Sequence, residues 1–206
     1  MSTYQTEEEQ VEAIKKWWKE NGKSVIAGVV LGLAVIGGGK GWLEYQRVSA
    51  ENASLGFENF LQAAEDKDLE TAVKRGKALM QTYADSVYAV FVALELARLQ
   101  YQAGDKAKAK ANLQWVLDNK APEALDHLTR IRMARLLLDM GAADDAAKLV
   151  RDSDDNAYAG EMLSIRAEIA LSKGDRDAAR TALEQALEKG VSNPALVRMQ
   201  LSELGG

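Results

Sequence analysis

From Ser24 to Gly39 the chain carries no charged side chain, and apolar character resumes through Gly41, Trp42 and Leu43 once the Lys40 stem is allowed to reach toward lipid headgroups. Taken as Ser24 to Leu43, about 20 residues at about 1.5 Å each reach about 30 Å, the thickness of a bilayer's hydrocarbon core. Trp17 and Trp18 before the run, and Trp42 and Tyr45 after it, put amphipathic rings where the two interfaces would lie. A water-soluble helix would carry Gly28, Gly32, Gly37, Gly38, Gly39 and Gly41 at a penalty of roughly 1 kcal/mol each. A cleaved signal peptide needs a short basic lead and an early cleavage site. Here the lead is long and of mixed charge, and Lys40, Glu44 and Arg47 precede the small residues Val48-Ser49-Ala50. The segment reads as a retained transmembrane helix, dividing the chain into a tail over 1–23, a span over 24–43 and a domain over 44–206.

Basic residues near a span set its orientation. Lys15, Lys16, Lys19 and Lys23 precede the run and only Lys40 and Arg47 follow it closely, which keeps the N-terminus cytoplasmic and translocates the domain. In a Gram-negative cell that domain is periplasmic and the protein sits in the inner membrane. Gly28-x-x-x-Gly32 and Gly37-x-x-x-Gly41 are expected to put small residues on one helix face, where a second membrane helix could approach closely. Val11, Ile14, Lys15 and Trp18 suggest a short amphipathic helix lying on the cytoplasmic leaflet.

Beyond the span the composition turns helical: the whole chain has two prolines, and Ala, Leu, Glu, Lys and Gln abound. Gly104, Gly141 and Gly174 recur 37 and 33 residues apart, each closing one apolar helical pattern and opening another. Seven residues before them stand Ala97, Ala134 and Ala167; five after stand Ala109, Ala146 and Ala179. Each glycine suits the left-handed turn that ends a helix, small alanines let paired helices pack closely, and Asp105, Asp144 and Asp175 suit a helix start. The segments from Ala97 to Asp105 and from Ala167 to Asp175 resemble tetratricopeptide repeats; the middle unit, with Gly141 to Asp144, fits less well. A degenerate first hairpin is expected over 54–64 and 69–81, the membrane helix continuing outward over 44–55. Pro194 can open a short capping helix ending near Leu204. The expected fold is all-α: one transmembrane helix followed by a tetratricopeptide-like solenoid.

Such a stack offers an extended groove lined by the first helix of each hairpin. Tyr88, Phe91, Arg98, Arg130, Arg135 and Arg166 are its candidate protein-binding residues, since aromatic and Arg side chains dominate binding hot spots. The alternative is that Tyr88 and Phe91 are core and the arginines solvated.

Catalytic chemistry finds no footing. The chain has no cysteine, and His127 is its only histidine, which removes thiol nucleophiles, serine–histidine relays and multi-histidine metal sites and leaves His127 as a surface residue of a helix. Asp152-Ser-Asp154-Asp-Asn156 starts like a calcium loop, but Ala157 stands where glycine is needed and Leu163 where a bidentate carboxylate is needed. Gly39-Lys40-Gly41 lacks the first glycine and the hydroxyl of a phosphate loop. A net charge of −5, carried entirely beyond Leu43, disfavours nucleic acid. Neither a catalytic residue, a cofactor nor a small-molecule substrate is expected; the partners are proteins and the bilayer.

The N-terminal block Glu9-Gln10-Val11-Glu12-Ala13-Ile14-Lys15-Lys16-Trp17-Trp18-Lys19-Glu20-Asn21-Gly22-Lys23, leading into the glycine-rich span, resembles the opening of the YfgM family of ancillary SecYEG translocon subunits. The resemblance covers the whole chain and implies association with the SecYEG channel and with PpiD, a membrane-anchored periplasmic chaperone, in handing exported proteins to folding factors. It also implies no enzymatic activity. The other reading is a scaffold for a different envelope machine, such as outer-membrane assembly or cell-wall synthesis.

Overall fold

The computed structural model describes residues 7–119, 121–150 and 156–205. Among them every regular element is a helix: α1 Glu7–Glu65, α2 Leu69–Thr82, α3 Val87–Gln102, α4 Lys106–Asp118, α5 Glu123–Asp139, α6 Ala143–Leu149, α7 Asn156–Ser172, α8 Arg176–Lys189 and α9 Pro194–Gly205. They form two compact units, Met1–Glu51 and Asn52–Gly206.

The described residues of the first unit all belong to α1. Its most apolar window is long enough to cross a membrane, and only 6% of that window is buried. A core helix of a soluble protein would be mostly covered, whereas Ile26, Leu31, Leu33, Val35 and Leu43 are each more than half exposed here. Lipid is the solvent that matches such a surface, because the helix already satisfies its own backbone. The helix does not break at Asn21-Gly22: Asn21 Nδ2 donates to the Trp17 carbonyl at 3.0 Å. The Trp18 ring covers Gly22, lying 3.3 Å from where a Cβ would stand. Residues 11–18 therefore belong to the same continuous helix as the apolar window rather than to a separate short helix.

The glycine pairs are also differently placed than expected. Nine residues separate Gly28 from Gly37, and at about 100° per residue they point about 180° apart. Gly28 and Gly32 share one face of α1; Gly37 and Gly41 share the opposite one. A methyl added at any of the four would meet nothing within 4 Å.

The second unit is a run of helix hairpins: the end of α1 with α2, α3 with α4, α5 with α6, and α7 with α8, closed by α9. The turn glycines behave as their spacing requires, with φ of +83° at Gly104, +76° at Gly141 and +81° at Gly174. The first hairpin makes the same turn with Lys67, at φ +58°. After three of these turns an aspartate caps the next helix: Asp68, Asp105 and Asp175 accept from the amides of Thr71, Lys108 and Ala178, each at 3.0 Å. The second predicted unit departs from this. Ala142 occupies the cap position without a side-chain bond, α6 is only seven residues long, and Asp144 instead pairs with Lys173 at 2.7 Å.

The register alanines Ala97, Ala134, Ala167, Ala109, Ala146 and Ala179 are all buried. One core runs from Phe60 through Val92, Leu96, Leu113, Met133 and Ile165; a second joins Ala167, Ala179, Leu183, Val197 and Leu204 under α9. Two glycines serve close packing. A Cβ on Gly76 would stand 2.8 Å from Val92 Cγ1 and 2.9 Å from Leu96 Cδ1, and one on Gly160 only 1.8 Å from the Gly190 carbonyl oxygen. Pro194 opens α9 as expected, and Asn193 Oδ1 accepts from the Leu196 amide at 3.1 Å.

Candidate protein-binding groove

Arg98 and Arg135 each stand six residues before a turn glycine, Gly104 and Gly141, and so hold the same register position in successive hairpins. The fold brings both to one cavity of about 380 Å³ between α3, α4 and α5. Its floor is apolar, made by Leu94, Ala97, Ala109, Leu113 and Leu136, all buried. Its rim is Arg98, Tyr101, Arg132 and Arg135. The first helices of two hairpins supply the walls, and the second helix of one backs them.

The rim is held by cross-links between elements. Tyr101 Oη donates to Asp139 Oδ2 at 3.0 Å, and Lys106 Nζ lies 2.8 Å from the same oxygen, tying the α3–α4 turn to the end of α5. The hydrogen bond from Lys106, then that from Tyr101, holds the Asp139 carboxyl below the usual carboxylate range. Arg98 donates to Glu95 through Nε at 2.8 Å and to Gln102 Oε1 at 3.0 Å along its own helix. Arg135 reaches α7 loosely, at 3.4 Å from Glu168 and 3.7 Å from Glu161. Arg132 is exposed and has no ion-pair partner among the described residues.

The other groove candidates lie elsewhere. Tyr88 and Phe91 join Phe57 of α1 in an aromatic cluster, with ring centroids 5.6 and 6.0 Å from Phe57. Arg130 is half-buried and pairs with Asp126 at 2.6 Å on its own helix. Arg166, on α7, is half-buried and does not line the cavity. Sequence reasoning missed Arg132 and Tyr101; both lie one turn from a residue it chose. It also misplaced His127, whose side chain is only 17% exposed and stacks on Tyr158 with centroids 4.9 Å apart. Among the described residues no group of three or more His, Cys, Asp or Glu gathers to hold a metal. The calcium-like stretch over 152–155 lies outside the described residues.

An apolar helix long enough to cross a membrane and a unit of stacked hairpins with an open groove define the class: a helical-repeat protein-interaction module that carries an exposed apolar helix. Comparison with known proteins agrees: the tetratricopeptide repeat-like domain family matches residues 15–206. A protein of Escherichia coli (strain K12) named ancillary SecYEG translocon subunit is 32% identical over 97% of this chain and 95% of its own length. The protein of that name from Haemophilus influenzae is 27% identical over 96% of this chain and 97% of its own, and the one from Neisseria gonorrhoeae is 24% identical over 99% and 100%. The chain belongs to the tetratricopeptide-like family of ancillary SecYEG translocon subunits. These names describe an ancillary subunit, and none describes an enzyme.

Proposed function

We propose that this chain is an adaptor held at the SecYEG translocon of the bacterial inner membrane, with residues 1–23 in the cytoplasm, 24–43 across the bilayer and 44–206 in the periplasm. The observation that carries the reading is the near full-length similarity to ancillary SecYEG translocon subunits, supported by an apolar window of α1 that is long enough to cross a bilayer and is left uncovered. The four lysines before the span favour this orientation over the reverse. In this reading the span docks beside the channel through one of its two glycine faces. The repeat domain engages emerging segments in its groove and passes them to a membrane-anchored periplasmic chaperone of the PpiD type.

The test is site-specific cross-linking in living cells, with a photoreactive residue stepped through positions 24–43. Adducts with SecYEG subunits that recur at helical period around position 32 or 37 are expected. Adducts only with lipid, or with a different envelope complex, would overturn the translocon reading.

A further inference from the structure

We propose that the cavity between α3, α4 and α5 binds an extended peptide segment in which an apolar side chain is flanked by carboxylates. This rests on reading the repeat domain as a protein-binding module and specifies what it takes. At about 380 Å³ the cavity is near the small end of ligand pockets, which run from about 300 to 1,000 Å³, so it holds a side chain or two rather than a folded surface. Its floor of Leu94, Ala97, Leu113 and Leu136 rewards an apolar group by removing it from water.

The rim then selects the neighbours of that group. Three guanidinium forks meet around one opening, on a chain whose net charge is −5. Planar forks suit carboxylates, which can accept two parallel bonds from each. The acids that face this rim are already engaged: Glu95 by Arg98, Asp139 by Lys106 and Tyr101, Glu168 by Arg135, and Glu161 by Arg135 and the Ser192 amide. Arg132 is left as the rim charge that a ligand can neutralise, with Arg135 beside it bound only loosely to its own acids. A segment bearing lysines at the flanking positions would meet the uncompensated charge of Arg132, so the same rim disfavours it.

Fluorescence anisotropy on the full chain in nanodiscs tests this, using as probe a labelled synthetic peptide of sequence Gly-Ser-Asp-Leu-Phe-Glu-Asp-Ser-Gly. The counterpart with lysine at each acidic position is the comparison. The acidic peptide is expected to bind, to weaken as salt rises, and to outbind the lysine peptide by about ten-fold or more. Arg132→Glu is expected to cost the acidic peptide about ten-fold, Arg132→Lys less, and Arg198→Glu on the remote α9 nothing, with unchanged circular dichroism in all three. No binding, equal binding of the two peptides, or an Arg132→Glu variant that binds like the parent would each overturn the assignment. So would a dimer that Arg132→Glu dissolves and the peptide does not displace, because the occupant would then be a second copy. Translocon partners co-purifying with the parent chain while the peptide fails to bind would sink this inference alone. Loss of those partners would instead sink the adaptor reading beneath it.

Discussion

Gly160→Ala sets two effects of known size against each other. In an open helix the change is favourable by about 1 kcal/mol, since alanine is the best helix former and glycine nearly the worst. At this site the new methyl would stand 1.8 Å from the Gly190 carbonyl oxygen, 2.6 Å from its carbon and 2.9 Å from the Ala186 oxygen. These are backbone atoms at the end of α8, and ordinary contact needs about 3.5 Å, so the α7–α8 crossing must open by more than about 1 Å. That movement loosens the core of Ala167, Ala179, Ala182 and Leu183. Overpacking costs typically about 1–3 kcal/mol, and a clash with backbone, which has no rotamer to change, falls at the upper end. Set against the helix gain, a net loss of about 2 kcal/mol is expected, a fall in Tm of about 4–8 °C for a domain of this size. Thermal circular dichroism at the helix band, on the full chain in detergent, reads it. Gly39→Ala, where a methyl meets nothing within 4 Å and the helix gain is unopposed, serves as the control and should leave the Tm unchanged or slightly raised, never lowered. A Gly160→Ala variant as stable as the parent or more so would refute the packing of α7 on α8 described above.

Lys67→Gly should act oppositely: the left-handed conformation strains a lysine by about 1–2 kcal/mol, and after glycine's extra unfolded-state entropy a gain of roughly 0.5–1 kcal/mol should appear as a higher Tm. Asp139→Asn removes the acceptor shared by Lys106 and Tyr101. Because the folded carboxyl titrates below its unfolded value, its stabilisation is present above the ordinary carboxylate pKa of about 3.9 and is lost as pH falls through the lower folded value. Parent and variant melts should therefore differ at neutral pH and converge in acid; a gap that widens in acid would contradict the sign. The native chain has no cysteine, so Gln10→Cys and Asp118→Cys can be labelled individually with a membrane-impermeant maleimide. Labelling of intact spheroplasts at position 118 alone is expected, with position 10 reacting only after lysis.

The parts of the fold that sequence reveals are those in which one residue type is required by local geometry. Positive φ asks for glycine, and Gly104, Gly141 and Gly174 announced three turns; Lys67 makes the same turn against its own propensity and announced nothing. Asp105 and Asp175 were readable as caps for the same reason, while Asp144 was a misleading signal because Ala142 holds the equivalent position. The groove was half legible. Arg98 and Arg135 repeat at the register spacing, and extending that register one unit further gives Glu168, the acid that Arg135 reaches. Arg132 lies one turn from Arg135, but deciding which turn faces the cavity needs the packing of α3, α4 and α5. Phe57 was unforeseen as the partner of Tyr88 and Phe91 because it comes from α1, a helix whose periodicity is dominated by the span. His127 looked like a surface residue because Tyr158, which covers it, lies 31 positions away across a hairpin. The two glycine pairs show how a short motif misleads when its phase is not followed: each is regular within itself, and the nine-residue step between them turns the second to the far side.

Mild-detergent extraction of the tagged protein at native expression, followed by mass spectrometry of what co-purifies, tests most directly whether this chain serves the translocon. It is run on the full chain and on a version with residues 24–43 replaced by an unrelated apolar span. SecYEG subunits and a PpiD-type chaperone should accompany the full chain, with SecYEG alone lost when the span is exchanged. Recovery of another envelope complex with no translocon component would contradict the adaptor role and leave only the anchored helical-repeat architecture standing.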